Sequence, residues 1–491
     1  METEASMPPR GSSAQLAPHK NSALKKGVSY DIAVIGAGVG GYVAAIRAAQ
    51  MGARILVIEK DKLGGTCLNR GCIPTKSFLS DVKPLYRIRS SSLYEGKETL
   101  TINVEKMIAR KNQVVETMAK GVASLFKSNE IHWIQGIATF VDPKTLEVLK
   151  NGKKETYRAN NIIIATGSRV GTIPSLSIDG KNLLSSNDIL DIQMIPKDMI
   201  IIGGGVIGIE FATIFNALGT EVTIVEMLPV IISTEDDEVI RGLKIILEKQ
   251  GVKILTDTRV TGASPTKNRV IVNIQDYSGK EEQLTAETVL MAVGRVPYTE
   301  KLGTEKIGLQ VEGQFIRANA RMETNVDGVY AIGDVIGKTM LAHAASAEGI
   351  VAAENIMGKS REIDYRKIPS CIYTFPEVAS VGLTEREAGE CGMDIQVGRF
   401  PYLYSGKAMA MGEPEGFVKI IAERELGEIL GVHILGEHAT ELIGECLLAM
   451  HLEATVEDLG EVVKGHPTLS EAIMEAALDW SNRSIHLPRK G

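Results

Sequence analysis

Two cysteines, Cys67 and Cys72, are separated by four residues within the segment GGTCLNRGCIPTK, residues 64–76. This spacing lets the two thiols close a small ring. A redox disulfide, a structural disulfide and half of a zinc site could each use such a pair. Zinc would need two further ligands at suitable spacing, and the three remaining cysteines are scattered singly along the chain. We therefore favour redox chemistry, in which the thiol pair exchanges electrons with a neighbouring cofactor.

Residues 31–59 have the pattern of a βαβ unit that could hold that cofactor. A buried-strand pattern leads into GAGVGG, and a helical pattern and a second strand follow. Gly36 permits the tight turn, Gly38 lets backbone N–H groups approach a diphosphate, and Gly41 lets helix and strand pack closely. The diphosphate would lie at the positive N-terminus of the helix. Glu59, at the end of the second strand, would accept hydrogen bonds from a ribose.

The same unit recurs over residues 199–226. Its glycine loop runs from Gly203 to Gly208, and its second strand ends at Glu226. In each copy, the acid that ends the strand lies 23 positions after the first glycine. The repeat predicts two dinucleotide sites and, with a thiol pair between them, one flavin and one nicotinamide. A carboxylate at position 226 favours NAD over NADP, because it bonds a ribose 2′-hydroxyl and repels a 2′-phosphate.

Composition limits the remaining possibilities. The chain has 491 residues, more than the ~250–300 that one core supports, so several domains are expected. A net charge of −7 argues against nucleic acid as the main partner. No apolar stretch reaches ~18 residues without charge or glycine, so no membrane span is expected. Five cysteines in a chain of this length are typical of a reducing cytoplasm.

These patterns predict an α/β protein with two Rossmann-like dinucleotide-binding domains and a C-terminal α+β domain. Residues 1–29 are polar and lack the apolar run of a secretion signal, so we expect a disordered extension. The predicted segments are the extension at 1–29, an FAD-binding domain with the redox disulfide at 30–170, an NAD-binding domain at 171–296, a central domain completing the FAD site at 297–367, a dimerisation domain at 368–485 and a tail at 486–491.

Several short motifs accompany the two units: IATGS (164–168), AVGRVP (292–297), AIGDV (331–335), MLAHAA (340–345) and HPTLSE (466–471). Together with the thiol segment, they make the chain resemble the flavoprotein pyridine nucleotide–disulfide oxidoreductases over residues 30–485. Its motifs are most similar to those of the members that oxidise dihydrolipoyl groups with NAD⁺. The resemblance implies an obligate homodimer that serves the lipoyl domains and core of a 2-oxo-acid dehydrogenase or glycine-cleavage complex.

The resemblance also implies which residues bind the two cofactors, and it implies no metal. FAD is expected at Gly36, Gly38, Gly41, Glu59, Gly65, Thr66, Lys76, Ala138, Thr166, Gly167, Asp334 and Ala342. NAD is expected at Gly203, Gly204, Gly205, Val206, Ile207, Gly208, Glu226, Val260, Ala292, Val293, Gly294 and Arg295.

Four side chains near the flavin would carry the electron transfer. The resemblance makes Cys67 the sulfur that forms a mixed disulfide with the substrate, and Cys72 the thiolate that lies against the flavin. A helix N-terminus near Ile73 would lower the pKa of the Cys72 thiol. Lys76 and Glu210 are implied to be an ion pair beside the flavin. Their alternative is an ordinary solvated helix face.

The resemblance makes His466 the general acid–base and Glu471 the carboxylate that orients its imidazole. In this family the pair comes from the neighbouring subunit. A capping box from Thr468 to Glu471 would explain the acid without catalysis, although the two roles are compatible.

Two other functions remain open. A glutathione reductase would share the thiols but use NADPH, against which Glu226 argues. A non-catalytic, flavin-binding assembly subunit would not need the thiols and His466, which are all present.

Overall fold

A computed structural model of the chain describes residues 29–488. The predicted extension therefore lies outside the described residues, apart from residue 29, as do residues 489–491 of the predicted tail. Among the described residues, no helix is both long enough and apolar enough to cross a bilayer.

The first sheet builds the unit that contains the first glycine loop. Its strands are ordered β3-β2-β1-β6-β5-β4, and β1, β2, β3 and β6 run parallel. The elements are β1 (Ser29–Ile35), α1 (Val39–Gln50), β2 (Ile55–Glu59), α2 (Gly65–Arg70), α3 (Cys72–Ser90), α4 (Val104–Ser128), β3 (His132–Gln135), β4 (Ile137–Asp142), β5 (Thr145–Lys150), β6 (Lys153–Ile164) and β7 (Ser168–Val170). Strands β1 and β2 are buried apolar runs, as expected of parallel strands covered on both faces.

The second unit has a five-stranded parallel sheet ordered β11-β10-β9-β15-β8. A three-stranded antiparallel sheet, β12-β13-β14, accompanies it. The elements are β8 (Leu183–Ser185), β9 (Asp198–Ile202), α5 (Val206–Leu218), β10 (Glu221–Val225), α6 (Asp237–Lys249), β11 (Lys253–Leu255), β12 (Thr258–Pro265), β13 (Val270–Asp276), β14 (Glu281–Ala286), β15 (Thr288–Met291) and β16 (Arg295–Pro297).

The chain then returns to the first unit. Strand β19 pairs in parallel with β6 of the first sheet, and helix α7 packs along α1. This segment contains β17 (Val311–Glu312), β18 (Phe315–Ile316), β19 (Val329–Ala331) and α7 (Ala342–Ile356).

The C-terminal part has the predicted α+β character, with a five-stranded antiparallel sheet ordered β20-β21-β24-β23-β22. Its elements are β20 (Ser370–Ile372), β21 (Glu377–Gly382), α8 (Glu385–Glu390), β22 (Ile395–Pro401), α9 (Gly406–Met411), β23 (Phe417–Glu423), β24 (Ile429–Gly436), α10 (Ala439–His451), α11 (Val456–Glu461) and α12 (Ser470–Trp480). The predicted fold class is confirmed: two parallel-sheet units with glycine loops precede a separate α+β module.

Candidate functional site

The two glycine loops have the same geometry. Gly36 and Gly203 both adopt a left-handed backbone, with φ of 103° and 109°, which favours glycine. A Cβ added to Gly41 would lie 2.0 Å from the carbonyl oxygen of Gly36, and one added to Gly208 would lie 2.0 Å from that of Gly203. Only glycine fits at these positions, so each helix can start directly against its loop.

The strand-end acids Glu59 and Glu226 are held in equivalent ways. Glu59 Oε2 accepts a hydrogen bond from Ala37 N at 2.7 Å, and Glu226 Oε2 accepts one from Gly204 N at 2.5 Å. The other oxygen of each acid accepts from the backbone N–H two residues further along the chain. Each carboxylate is therefore fixed beside the first turn of its loop, where a ribose would lie.

One cleft collects most of the residues expected to bind FAD. The expected FAD-binding residues that line this cleft are Gly36, Gly38, Glu59, Gly65, Thr66, Ala138, Thr166 and Gly167. The other expected ligands lie outside this lining. Gly41 lies beneath the loop against Gly36, Lys76 is in α3, and Ala342 is the first residue of α7. Asp334 accepts a hydrogen bond from the Ser168 hydroxyl, and Ser168 itself lines the cleft.

The polar atoms of the cleft fit a hydrogen-bonding cofactor. Thr166 Oγ1 and Asn187 Oδ1 are buried and have no hydrogen-bond partner among residues 29–488, and both residues line the cleft. Buried polar atoms normally have partners. The loop, the acid and the unpaired polar atoms are thus the donor and acceptor set that a dinucleotide with ribityl and ribose hydroxyls would use.

Arg295, expected to bind NAD, lies at the wall of the first cleft. Its Nε donates to Ser168 Oγ at 2.7 Å and lies 3.8 Å from Asp334 Oδ2. Strand β16 pairs antiparallel with β7, which sets Arg295 opposite Val170 at the wall of the first cleft. The Arg295 side chain therefore lines the first cleft, and its expected contact with NAD stays a prediction.

The remaining residues expected at the NAD site surround the second loop. Ala292 N donates to Ile202 O at 2.8 Å, and a Cβ on Gly203 would lie 2.4 Å from Ala292 O. Val293 and Gly294 follow Ala292 directly in the chain. Val260 is in β12, whose first residue, Thr258, donates its N–H to Glu226 O at 3.0 Å.

The thiols occupy consecutive helices. Cys67 is inside α2 and Cys72 is the first residue of α3, one residue earlier than the start expected at Ile73. A hydrogen bond from the Cys67 thiol lowers the pKa of Cys72 to about 7, with a further contribution from the Lys76 ammonium group. The same hydrogen bond, together with burial, raises the pKa of Cys67. The pair therefore consists of one thiol and one sulfur that readily becomes a thiolate.

Lys76 and Glu210 form a close ion pair. Lys76 Nζ lies 2.8 Å from both carboxylate oxygens of Glu210, which is itself buried in α5. The Tyr373 backbone N–H also donates to Glu210 Oε1 at 3.1 Å, and the Tyr373 ring lies under the ammonium group at 4.2 Å. A solvated helix face does not describe these residues.

His466 is exposed, with 80% of its side chain accessible. Its Nδ1 is 2.8 Å from Glu471 Oε1, the orientation expected of an acid–base pair. Within residues 29–488 of one chain, Glu471 is the only hydrogen-bond partner of its ring. Burial raises the pKa of Glu471, but the hydrogen bonds from His466 and from Thr468 N outweigh burial and lower it.

The predicted capping box is half formed. Glu471 Oε2 accepts from Thr468 N at 2.7 Å, whereas the Thr468 hydroxyl donates to Gly465 O. Helix α12 begins only at Ser470, so the hydroxyl cannot cap it. Glu471 therefore serves the backbone and the imidazole together.

Sequence reasoning missed several residues of the first cleft: Lys60, Asp61, Lys62, Arg70, Ser168, Arg169, Val170, Asn187 and Tyr298. Arg70 and Ser168 lie inside motifs that were singled out, so their positions offered a signal. No sequence pattern marked Asn187, because it belongs to the second unit and lines the cleft only where the two units pack together.

Comparison with known families agrees with this geometry. Residues 30–349 match the family described as pyridine nucleotide-disulphide oxidoreductase, and residues 368–477 match the dimerisation domain of the same family. The chain therefore contains a domain through which members of this family form dimers.

Two curated relatives cover almost the whole chain. The dihydrolipoyl dehydrogenase of Bacillus subtilis is 41% identical over 93% of this chain and 99% of its own length. The mitochondrial dihydrolipoyl dehydrogenase of Caenorhabditis elegans is 42% identical over 91% of this chain and 92% of its own length.

Solved structures are also similar. LpdA from Mycobacterium tuberculosis has a TM-score of 0.85 at 26% identity, covering 92% of this chain and 99% of that one. The flavoprotein disulfide reductase RclA from Escherichia coli, solved as its Cu(II) complex, has a TM-score of 0.83 at 28% identity, with the same coverage. By the extent of its family matches and the identity of its full-length relatives, the chain belongs to the pyridine nucleotide-disulphide oxidoreductases.

Proposed function

We propose that this chain oxidises protein-bound dihydrolipoyl groups to lipoyl groups with NAD⁺ as acceptor, using FAD. The observation that carries the proposal is the thiol pair beside the first cleft, in which Cys72 has a pKa of about 7. Two glycine loops with fixed acids support two nucleotide cofactors. The names of the full-length relatives support the substrate and the use of NAD.

Cys67 and Cys72 have different tasks in this proposal. A substrate thiolate attacks Cys67 Sγ of the oxidised pair, the Cys67–Cys72 bond breaks, and Cys72 leaves as a thiolate. The second substrate thiolate then breaks the mixed disulfide, so oxidised lipoyl departs and Cys67 becomes a thiol. A leaving sulfur of low pKa makes the first step fast. Bound FAD supplies the two-electron chemistry that links the reduced pair to NAD⁺.

Charges around the pair stabilise the thiolate. Cys72 receives a hydrogen bond from Cys67 and faces the Lys76 ammonium group. Its place at the start of α3 adds the positive end of a helix dipole. Glu210 holds Lys76 in position and moderates its charge.

His466 would take the proton of the substrate thiol, with Glu471 fixing the ring nitrogen that faces away from the substrate. We propose that His466 reaches the thiols of a second copy of the chain. The exposure of His466, the dimerisation domain and the nearby exposed apolar residues Val462 and Val463 support this arrangement. Docking to a 2-oxo-acid dehydrogenase or glycine-cleavage complex belongs to the same proposal, and the cysteine usage supports a cytoplasmic location.

A steady-state assay tests the substrate. Dihydrolipoamide with NAD⁺ should give rapid turnover, and dihydrolipoamide with NADP⁺ should give little. Glutathione disulfide with NADPH is the competing assay, and rates confined to that pair would overturn the proposal in favour of a glutathione reductase. A Cys67→Ser variant should bind FAD normally and lose turnover with dihydrolipoamide.

A further inference from the structure

Lys419 is a charged residue in the middle of an apolar strand, β23, and only 2% of its side chain is exposed. Burying an ammonium group is costly unless acids pair with it. Its Nζ lies 2.8 Å from Asp236 Oδ1, 2.7 Å from Glu385 Oε2 and 3.4 Å from Glu238 Oε2. Lys419 is therefore the buried centre of a charge cluster, in which Glu238 and Glu385 are partly exposed and also pair with Arg399.

The cluster joins two parts of the molecule. Lys419 belongs to the C-terminal sheet, whereas Asp236 belongs to the second dinucleotide unit and caps α6 by accepting from Glu238 N at 3.0 Å. The preceding acid, Glu235, is anchored to the C-terminal sheet as well. It accepts hydrogen bonds from Ser370 Oγ at 2.8 Å and from Ser380 Oγ at 2.7 Å.

Glu235 and Asp236 lie at the end of the segment that connects Glu226 to α6. Glu235 N donates to Ile232 O at 2.9 Å, and Ile232 N donates to Gly204 O at 2.9 Å. Gly204 N in turn donates to Glu226 Oε2 at 2.5 Å. A continuous set of bonds thus runs from the buried acids to the second glycine loop and its carboxylate.

We infer that Lys419 is a positioning residue for the nicotinamide nucleotide, because it holds the second glycine loop in place from the C-terminal sheet. The inference rests on the proposed function, in which this loop binds NAD⁺. Lys419 lies in β23 of the C-terminal sheet, outside both glycine loops. It acts through Asp236 and the bond between Ile232 and Gly204. Loop N–H groups must converge on the diphosphate, so a displaced loop binds the nucleotide less tightly.

The test is the dissociation constant of NAD⁺, measured by calorimetry on the FAD-loaded protein. Lys419→Met should raise this constant by about 2- to 30-fold, the range known for coupling through intermediate residues. The rate at which dihydrolipoamide reduces the bound flavin should stay at its wild-type value. Lys419→Arg, which keeps a cation, should recover part of the NAD⁺ affinity.

Lys83→Met is the matched control. Lys83 Nζ lies 2.7 Å from Glu437 Oε1, and the Glu437 side chain is 3% exposed. This pair also fixes the C-terminal part, but to α3 and away from the second loop. The control should lose thermal stability and keep its NAD⁺ affinity.

A second variant protects the test against misfolding, since Lys419→Met leaves the buried Asp236 without its cation, whereas Glu238 and Glu385 keep their ion pairs with Arg399. Lys419→Met combined with Asp236→Asn removes this charge, and asparagine still caps a helix. This double variant should also bind NAD⁺ more weakly.

Wild-type NAD⁺ affinity in folded Lys419→Met or in the folded double variant would overturn the inference, and so would an equal loss of affinity in Lys83→Met. If the wild-type protein fails to oxidise dihydrolipoamide while Lys419→Met still weakens NAD⁺ binding, the proposed substrate is wrong and the positioning role stands.

Discussion

The Lys76 ammonium group lies 2.8 Å from both carboxylate oxygens of Glu210, and this ion pair joins the two dinucleotide units. Lys76 is in α3, one turn beyond Cys72, whereas Glu210 is in α5, two residues after the second glycine loop. The Lys76 charge lowers the pKa of Cys72, and the Glu210 charge raises it. The balance between the two charges therefore tunes the thiolate.

Substituting the two partners should move the Cys72 pKa in opposite directions. Lys76→Met removes the cation and should raise the pKa above its value of about 7. Glu210→Gln leaves the cation uncompensated and should lower it. The measurement is the thiolate absorbance of the reduced protein as a function of pH. Lys83→Met, on the same helix, is the control, and shifts of the same sign in both variants would contradict the account.

Glu226 should decide the choice of nucleotide. Glu226→Gln keeps the shape of the side chain but loses its charge, so the KM for NAD⁺ should rise about tenfold or more, the value of one charge-assisted hydrogen bond. Discrimination against NADP⁺ should fall, since the repulsion of a 2′-phosphate is gone. Comparing kcat/KM for the two nucleotides checks this. Glu221→Gln, at the exposed start of the same strand, should change neither value.

The repeated units were predictable from the sequence because their determinants are local. Glycines at fixed spacing, a helix and an acid at the end of a strand all lie within one short stretch, and the structure gives Glu59 and Glu226 equivalent bonds. The place of Arg295 in the lining of the first cleft was not predictable, because it depends on the pairing of β16 with β7, which lies more than a hundred residues away. The ion pairs of Lys419 could not be predicted, because the pattern of its strand does not show which acids at α6 pack against it.

Replacing Glu471 by glutamine separates its two roles. The amide oxygen of glutamine can still accept from Thr468 N, but it no longer carries the charge that stabilises a protonated His466. We expect kcat with dihydrolipoamide to fall about 10-fold or more, and His466→Gln to cost about 10²- to 10⁴-fold, the usual contribution of acid–base catalysis. NADH oxidation by ferricyanide, which bypasses the thiols, should be unchanged in both variants. Equal losses in the two assays would point to a structural role alone.

Glu354 should make the fold sensitive to acid. Its side chain is 2% exposed and pairs with Arg47, Lys359 and Arg361. The hydrogen bond from Arg47 is the main cause that lowers its pKa from 4.5 to about 2. The stabilisation is therefore complete above pH 4.5 and is lost as the pH falls towards 2.

Glu354→Gln should accordingly lower the free energy of unfolding at pH 7 by about 2 kcal/mol. Its melting temperature should approach that of the wild type as the pH falls. Calorimetry over a series of pH values measures both effects. Glu362→Gln, an exposed neighbour, should behave like the wild type throughout, and a constant gap between Glu354→Gln and wild type at every pH would argue against the ion pair.

The central claim is that the Cys67–Cys72 pair relays electrons from a dithiol to the bound flavin. Anaerobic stopped-flow mixing of the FAD-loaded protein with dihydrolipoamide, followed by NAD⁺, tests it most directly. The account predicts a long-wavelength absorbance from the Cys72 thiolate against the flavin, its loss when NAD⁺ is added, and no flavin reduction by dihydrolipoamide in Cys67→Ser. A wild-type protein that shows no long-wavelength absorbance after mixing with dihydrolipoamide, or full turnover in Cys67→Ser, would contradict it.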